Sequence, residues 1–87
     1  MKMRDLRQYL DLECIEILYT GGGIWMLIGK RGNLWFSCSA DAVECFGGMF
    51  TTDYKSALNG WDYGIVSYVD DNDPLCQKAF TVLKEAM

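Results

Sequence analysis

The sequence predicts an α+β domain: an N-terminal helix, a three-strand antiparallel meander, short helical segments, a fourth strand and a C-terminal helix. Three observations carry this. Residues 13–39 hold three apolar segments that alternate with period two and are broken by glycine-bearing turns. Asp73-Pro74 opens a stretch of helical periodicity. At 87 residues, with no linker, internal repeat or low-complexity run, the chain makes one domain, 1–87.

Each element has its own signal. Over residues 3–11, Met3, Leu6 and Leu10 form one helical stripe, with Arg4, Arg7 and Gln8 turned away. In the strand 13–19, Ile15, Ile17 and Tyr19 share one face and Cys14, Glu16 and Leu18 the other. Gly21-Gly22-Gly23 leads into another strand, so it reads as a hairpin turn needing positive φ and not as a phosphate loop. Strands follow at 24–29 and 34–39, joined by the turn KRGN. Trp25 and Trp35 stand opposite the regular aliphatic set, where a tight hairpin makes them cross-strand or diagonal neighbours. Ser39 is placed to cap a short helix, ADAVECF, which Gly47-Gly48 ends. Thr51 or Thr52 is placed to cap a second, DYKSAL, which Asn59-Gly60 ends, with Trp61 plugging the core. Residues 64–69 alternate as a fourth strand, and the last helix runs from Pro74 to about Ala86 on a stripe of Leu75, Ala79, Val82, Leu83 and Ala86.

The composition narrows function more than any motif does. The chain has no histidine, hence no imidazole to act as a base near pH 7, to activate a nucleophile or to ligate a metal. Cys45, read at the negative end of a short helix, is poorly placed for a reactive thiolate, and Glu13 and Glu16 are read on opposite strand faces. No enzyme is expected, and no cofactor. The apolar fraction of 51% and the aromatic fraction of 14% exceed what so small a domain can readily hide, so some rings are expected at the surface as a partner site. The N-terminus is charged, and the longest apolar run, 24–28, is too short to span a bilayer. A cytoplasmic protein with reduced thiols is expected. Cys14, Cys38, Cys45 and Cys76 include no Cys-x-x-Cys pair, which disfavours a four-cysteine zinc site, and each reads as a small core hydrophobe.

The net charge of −4 opposes broad phosphate-backbone binding. Asp70, Asp71 and Asp73, with Asp62 nearby, form the densest charge group. Calcium-loop spacing fails there, because Cys76 and Val82 stand where Gly and Glu are needed. The group reads as a solvated helix-capping turn, or as an acidic contact for a basic partner. The expected contact set is therefore Asp62, Asp70, Asp71 and Asp73 with Trp25 and Trp35 as apolar anchors. The competing set, for nucleic acid, is Lys2, Arg4, Arg7, Lys30 and Arg31.

The start Met-x-x-Arg-Asp-Leu, the strand CIEILYTG and the segment Ser56-Ala57-Leu58-Asn59-Gly60-Trp61 resemble small proteins of bacteriophages and mobile elements. Among these, the chain is similar to anti-CRISPR proteins that inhibit the RNA-guided DNA nuclease of type II systems. The resemblance implies a helix, a three-strand antiparallel sheet and further helices. It also implies an acidic, DNA-mimicking surface that occupies the nuclease's DNA-recognition cleft in the bacterial host cell. This chain departs from that pattern: it is less acidic, its middle loop is KRGN, and it adds a later strand. The expected function is a non-enzymatic protein-binding module. The alternatives are a nucleic-acid-binding accessory protein and a self-associating structural phage protein.

Overall fold

The computed structural model describes residues 5–60 and 64–87. The elements are α1 (Leu6–Leu10), β1 (Glu13–Gly21), β2 (Ile24–Arg31), β3 (Leu34–Ala40), β4 (Cys45–Thr51), α2 (Tyr54–Asn59), β5 (Ile65–Val69) and α3 (Pro74–Ala86). The α+β class and the element order agree with expectation. The sheet has five strands, one more than predicted, in the order β1-β2-β3-β4-β5, every pair antiparallel.

The extra strand replaces the expected helix ADAVECF. Ser39 lies inside β3 and caps nothing. The Asp41 carboxylate instead accepts the N–H groups of Val43 (2.8 Å) and Glu44 (2.7 Å), and the Asp41 N–H donates to Glu44 O. That local bonding reverses the chain into a hairpin, the alternative that Asp offers in competition with a helix. Cys45 then pairs with Ala40, so it opens a strand and does not close a helix. Gly47-Gly48, read as a helix stop, serves the sheet. Gly47 sits at φ 90, and a side chain on Gly48 would lie 2.6 Å from Ser37 O.

Two layers of helix flank the sheet. On one face, α1 and α3 bury Leu27, Phe36, Cys38, Ala40 and Cys45 against Leu10, Leu75, Cys76, Ala79, Val82 and Leu83. Each large apolar side chain fully buried there contributes about 1.5–3 kcal/mol. On the other face α2 packs over β3 and β4, and Ile28, Thr51, Ser56 and Ala57 are shielded between. The caps are carboxylates: Asp5 for α1, Asp53 for α2 in place of Thr51 or Thr52, and Asp73 for α3 as expected. Gly60 closes α2 in the left-handed region, as its Asn-Gly signal predicts.

A bulge in β1 corrects one further expectation. Glu13 pairs with Lys30 and Glu16 with Ile28, three residues against two, with Cys14 at φ 53. Lys30 and Ile28 share a face, so the register puts Glu13 and Glu16 on the same face. Among the described residues no helix is long and apolar enough to cross a membrane.

Candidate protein-binding surface

The two tryptophans are half-buried and far apart in the register. Trp25 pairs with Ala40 and Trp35 with Lys30, at opposite ends of the β2–β3 hairpin. Trp25 packs towards the α3 core, its ring 5.0 Å from that of Tyr19. Trp35 faces α2, edge-on to Tyr54 at 5.2 Å, with Lys30 Nζ 5.7 Å from its ring. Tyr54 donates to Glu16, which ties α2 to β1 and raises the phenol's pKa. The expectation that Trp25 and Trp35 are neighbours is thus overturned. Their sequence separation is even, and cross-strand partners in this hairpin, such as Trp25 and Ala40, are an odd number of residues apart, so the two rings stand on opposite faces.

Tyr19, beside Trp25, is exposed, and two further exposed rings, Phe46 and Tyr68, lie on the α2 side. Where α2 leaves the sheet uncovered, Met26, Phe46, Met49, Leu58 and Tyr68 surround a groove of about 290 Å³ floored by Ser37 and Ser39. Tyr68 is 73% exposed and Phe46 49%. The sequence signal for these residues was the surplus of rings. The individual positions were hidden because residues 45–51 read as helix and turn.

The acidic turn borders this groove. A side chain on Gly47, which lines the groove, would lie 3.2 Å from Val69 O and 3.7 Å from Asp71 N. Asp70, Asp71 and Asp73 are all exposed. Asp73 accepts the Leu75 N–H at 2.9 Å and so caps α3. Asp70 accepts the Asn72 N–H at 2.8 Å, and that bond holds its carboxyl below the usual carboxylate range. The Asp71 carboxylate has no capping role here. Asp62 and Trp61 lie outside the described residues.

Of the expected basic set, Arg7, Lys30 and Arg31 come together around one hollow, interleaved with acidic residues. Lys30 and Arg31 are consecutive on β2 and face opposite sides. Arg31 donates to Leu10 O and Asp11 O, both at 3.0 Å, and so closes the end of α1. Arg7 stands beside Asp5, 3.5 Å away. Asp11 and Glu13 line the same shallow hollow as Arg7, Lys30 and Arg31. Lys2 and Arg4 lie outside the described residues.

No family model, curated protein or solved structure matches this chain.

Three of the four cysteines meet in the core. Cys38 from β3, Cys45 from β4 and Cys76 from α3 are buried, and their sulfurs all lie within 4.8 Å of one another. Cys38 Sγ and Cys45 Sγ are 3.6 Å apart, and all four cysteines are free thiols. The Gly47 N–H donates to Cys45 Sγ at 3.4 Å. Hydrogen bonding between the Cys38 and Cys76 thiols pushes Cys38 up and Cys76 down. Spacing disfavoured a four-cysteine site because no Cys-x-x-Cys pair is present. The β3–β4 hairpin and the docking of α3 supply the proximity instead. Cys14 is exposed and stands apart on the β1 bulge.

Proposed function

We propose that this domain is a non-enzymatic protein-binding module. Its groove beside α2 receives an apolar side chain of a partner, and the Asp70-Asp71 turn meets basic residues next to that side chain. The observation that supports this reading is the juxtaposition of exposed Tyr68 and Phe46 with an exposed acidic turn on one rim. Exposed rings beside complementary charge are the usual anchors of an interface. The most specific form of the proposal is inhibition of a bacterial RNA-guided nuclease in the host cytoplasm. A cleft that binds nucleic acid is rich in cations, and an acidic turn is complementary to it. Trp25 packs towards the α3 core and Trp35 against Tyr54, so neither lines the groove.

One observation favours self-association as the second reading: β5 is an open sheet edge that exposes Val66 and Tyr68. Immobilised chain is incubated with a bacterial lysate and, separately, with a purified RNA-guided nuclease loaded with guide. Retention of the nuclease and loss of its DNA cleavage support the specific form. Retention of other proteins only narrows the proposal to the module. Recovery of no protein, with concentration-dependent oligomers in sedimentation, replaces it with the second reading.

A further inference from the structure

We propose that Cys38, Cys45 and Cys76 form a binding site for a thiophilic monovalent metal ion, of the class of copper(I). The three sulfurs come from three elements and converge on one point of the core. A metal held in the plane of three thiolates at about 2.3 Å sets the sulfurs about 4 Å apart, judged from zinc–thiolate lengths. The observed 3.6 Å pair and the 4.8 Å limit on all three bracket that spacing.

Two further features distinguish the cluster from thiols that merely fill space. The Gly47 N–H points at Cys45 Sγ, the kind of outer hydrogen bond that orients a ligating sulfur and spreads its charge. Gly47 reaches that position through φ 90, a conformation in which a side chain is strained. Cys76 lies in the first turn of α3, a helix of 13 residues, where the N-terminal pole favours a thiolate.

The ion class follows from the donor set. Soft sulfur ligands select copper(I) or zinc. Structural zinc takes four protein donors, and neither a histidine nor a carboxylate joins these three sulfurs among the described residues. A closed-shell monovalent ion is satisfied by two or three sulfurs. It enters already reduced, so no electron moves. Each sulfur that binds as thiolate gives its proton to solvent, and affinity therefore rises with pH.

The test uses the full reduced chain under anaerobic conditions, titrated with copper(I) held by a chromophoric chelator. The chain is expected to withdraw one equivalent, to gain a sulfur-to-metal absorption in the near ultraviolet, and to melt at higher temperature. Cys38→Ala, Cys45→Ala and Cys76→Ala should each weaken binding at least tenfold, and Cys14→Ala should leave it unchanged. X-ray absorption on the wild-type complex, which needs no core substitution, should show sulfur neighbours only. Failure to withdraw the metal overturns the proposal. So do unchanged binding in the three core variants, oxygen or nitrogen neighbours in the absorption spectrum, tighter binding of zinc in a parallel titration, or a mass loss of two hydrogens that reports a Cys38–Cys45 disulfide in place of bound metal.

Discussion

Tyr68→Ala separates the binding surface from the fold. Tyr68 sits on the outer strand β5 and is 73% exposed, so folding hides about a quarter of it. A tyrosine offers roughly 200 Å² of buriable surface. A quarter of that, at about 25 cal/mol per Å², comes to about 1 kcal/mol. The melting temperature should therefore fall by only about 4–8 °C. Binding should respond more strongly. An aromatic side chain that lines the pocket around a partner's anchor is worth about 2 kcal/mol or more on truncation where it is a hot spot. That is about a 30-fold rise in Kd. Phe36→Ala provides the contrast, because Phe36 is fully buried against Phe50, ring to ring at 5.4 Å. Its loss should cost about 3–5 kcal/mol, most of the stability of a small domain. Urea denaturation and calorimetric titration with the captured partner measure the two quantities on one sample. A folded Tyr68→Ala that binds with unchanged Kd refutes the groove as the contact. So does a Tyr68→Ala as unstable as Phe36→Ala, since Tyr68 would then belong to the core.

Asp70→Lys with Asp71→Lys should leave the melting temperature nearly unchanged and abolish partner binding by surface resonance, whereas unaltered binding means the turn is only solvated. The carboxyls of Asp5, Asp41, Asp53 and Asp70 are held below their ordinary value of 3.8, chiefly by the backbone N–H groups of Gln8, Glu44, Ser56 and Asn72 respectively. Each takes up a proton more readily when unfolded, so its stabilisation is present above that value and lost as pH falls through the depressed one. The urea midpoint should be level near neutrality and drop on acidification below about pH 4; a midpoint that stays level to pH 2 contradicts this. Gly48→Ala should be destabilised by about 3 kcal/mol by thermal unfolding, because the added carbon meets Ser37 O at 2.6 Å and a backbone carbonyl has little room to yield.

The features legible in the sequence were those encoded locally. The Asp73-Pro74 start, the Gly60 stop and the β2–β3 alternation each depend on a few adjacent residues, and each is found where expected. Local competition hid the rest. ADAVECF has helix-forming residues, yet Asp41 turns the backbone back on itself, and only pairing with β3 reveals Cys45–Thr51 as a strand. The β1 bulge shifts Glu13 by one position, which period-two reasoning cannot register. The groove and the thiol cluster are both assembled across β4, so losing that strand concealed them together. The acidic turn was visible because four neighbouring residues make it. The groove it borders is drawn from β2, β3, β4, α2 and β5.

Every strand here pairs with its neighbour in the chain. The sheet can therefore assemble by closing short loops in succession, a topology with a small entropic barrier for a β-rich domain. The α1–α3 contact, by contrast, joins segments from nearly opposite ends of the described chain. Hydrogen bonding can thus run ahead of burial. Until α3 docks, Leu27, Phe36 and Cys38 face water on a paired but uncovered sheet whose outer strands, β1 and β5, remain free to recruit other chains. The arrival of those 13 helical residues sets how long each newly made molecule is open to aggregation in a crowded cell.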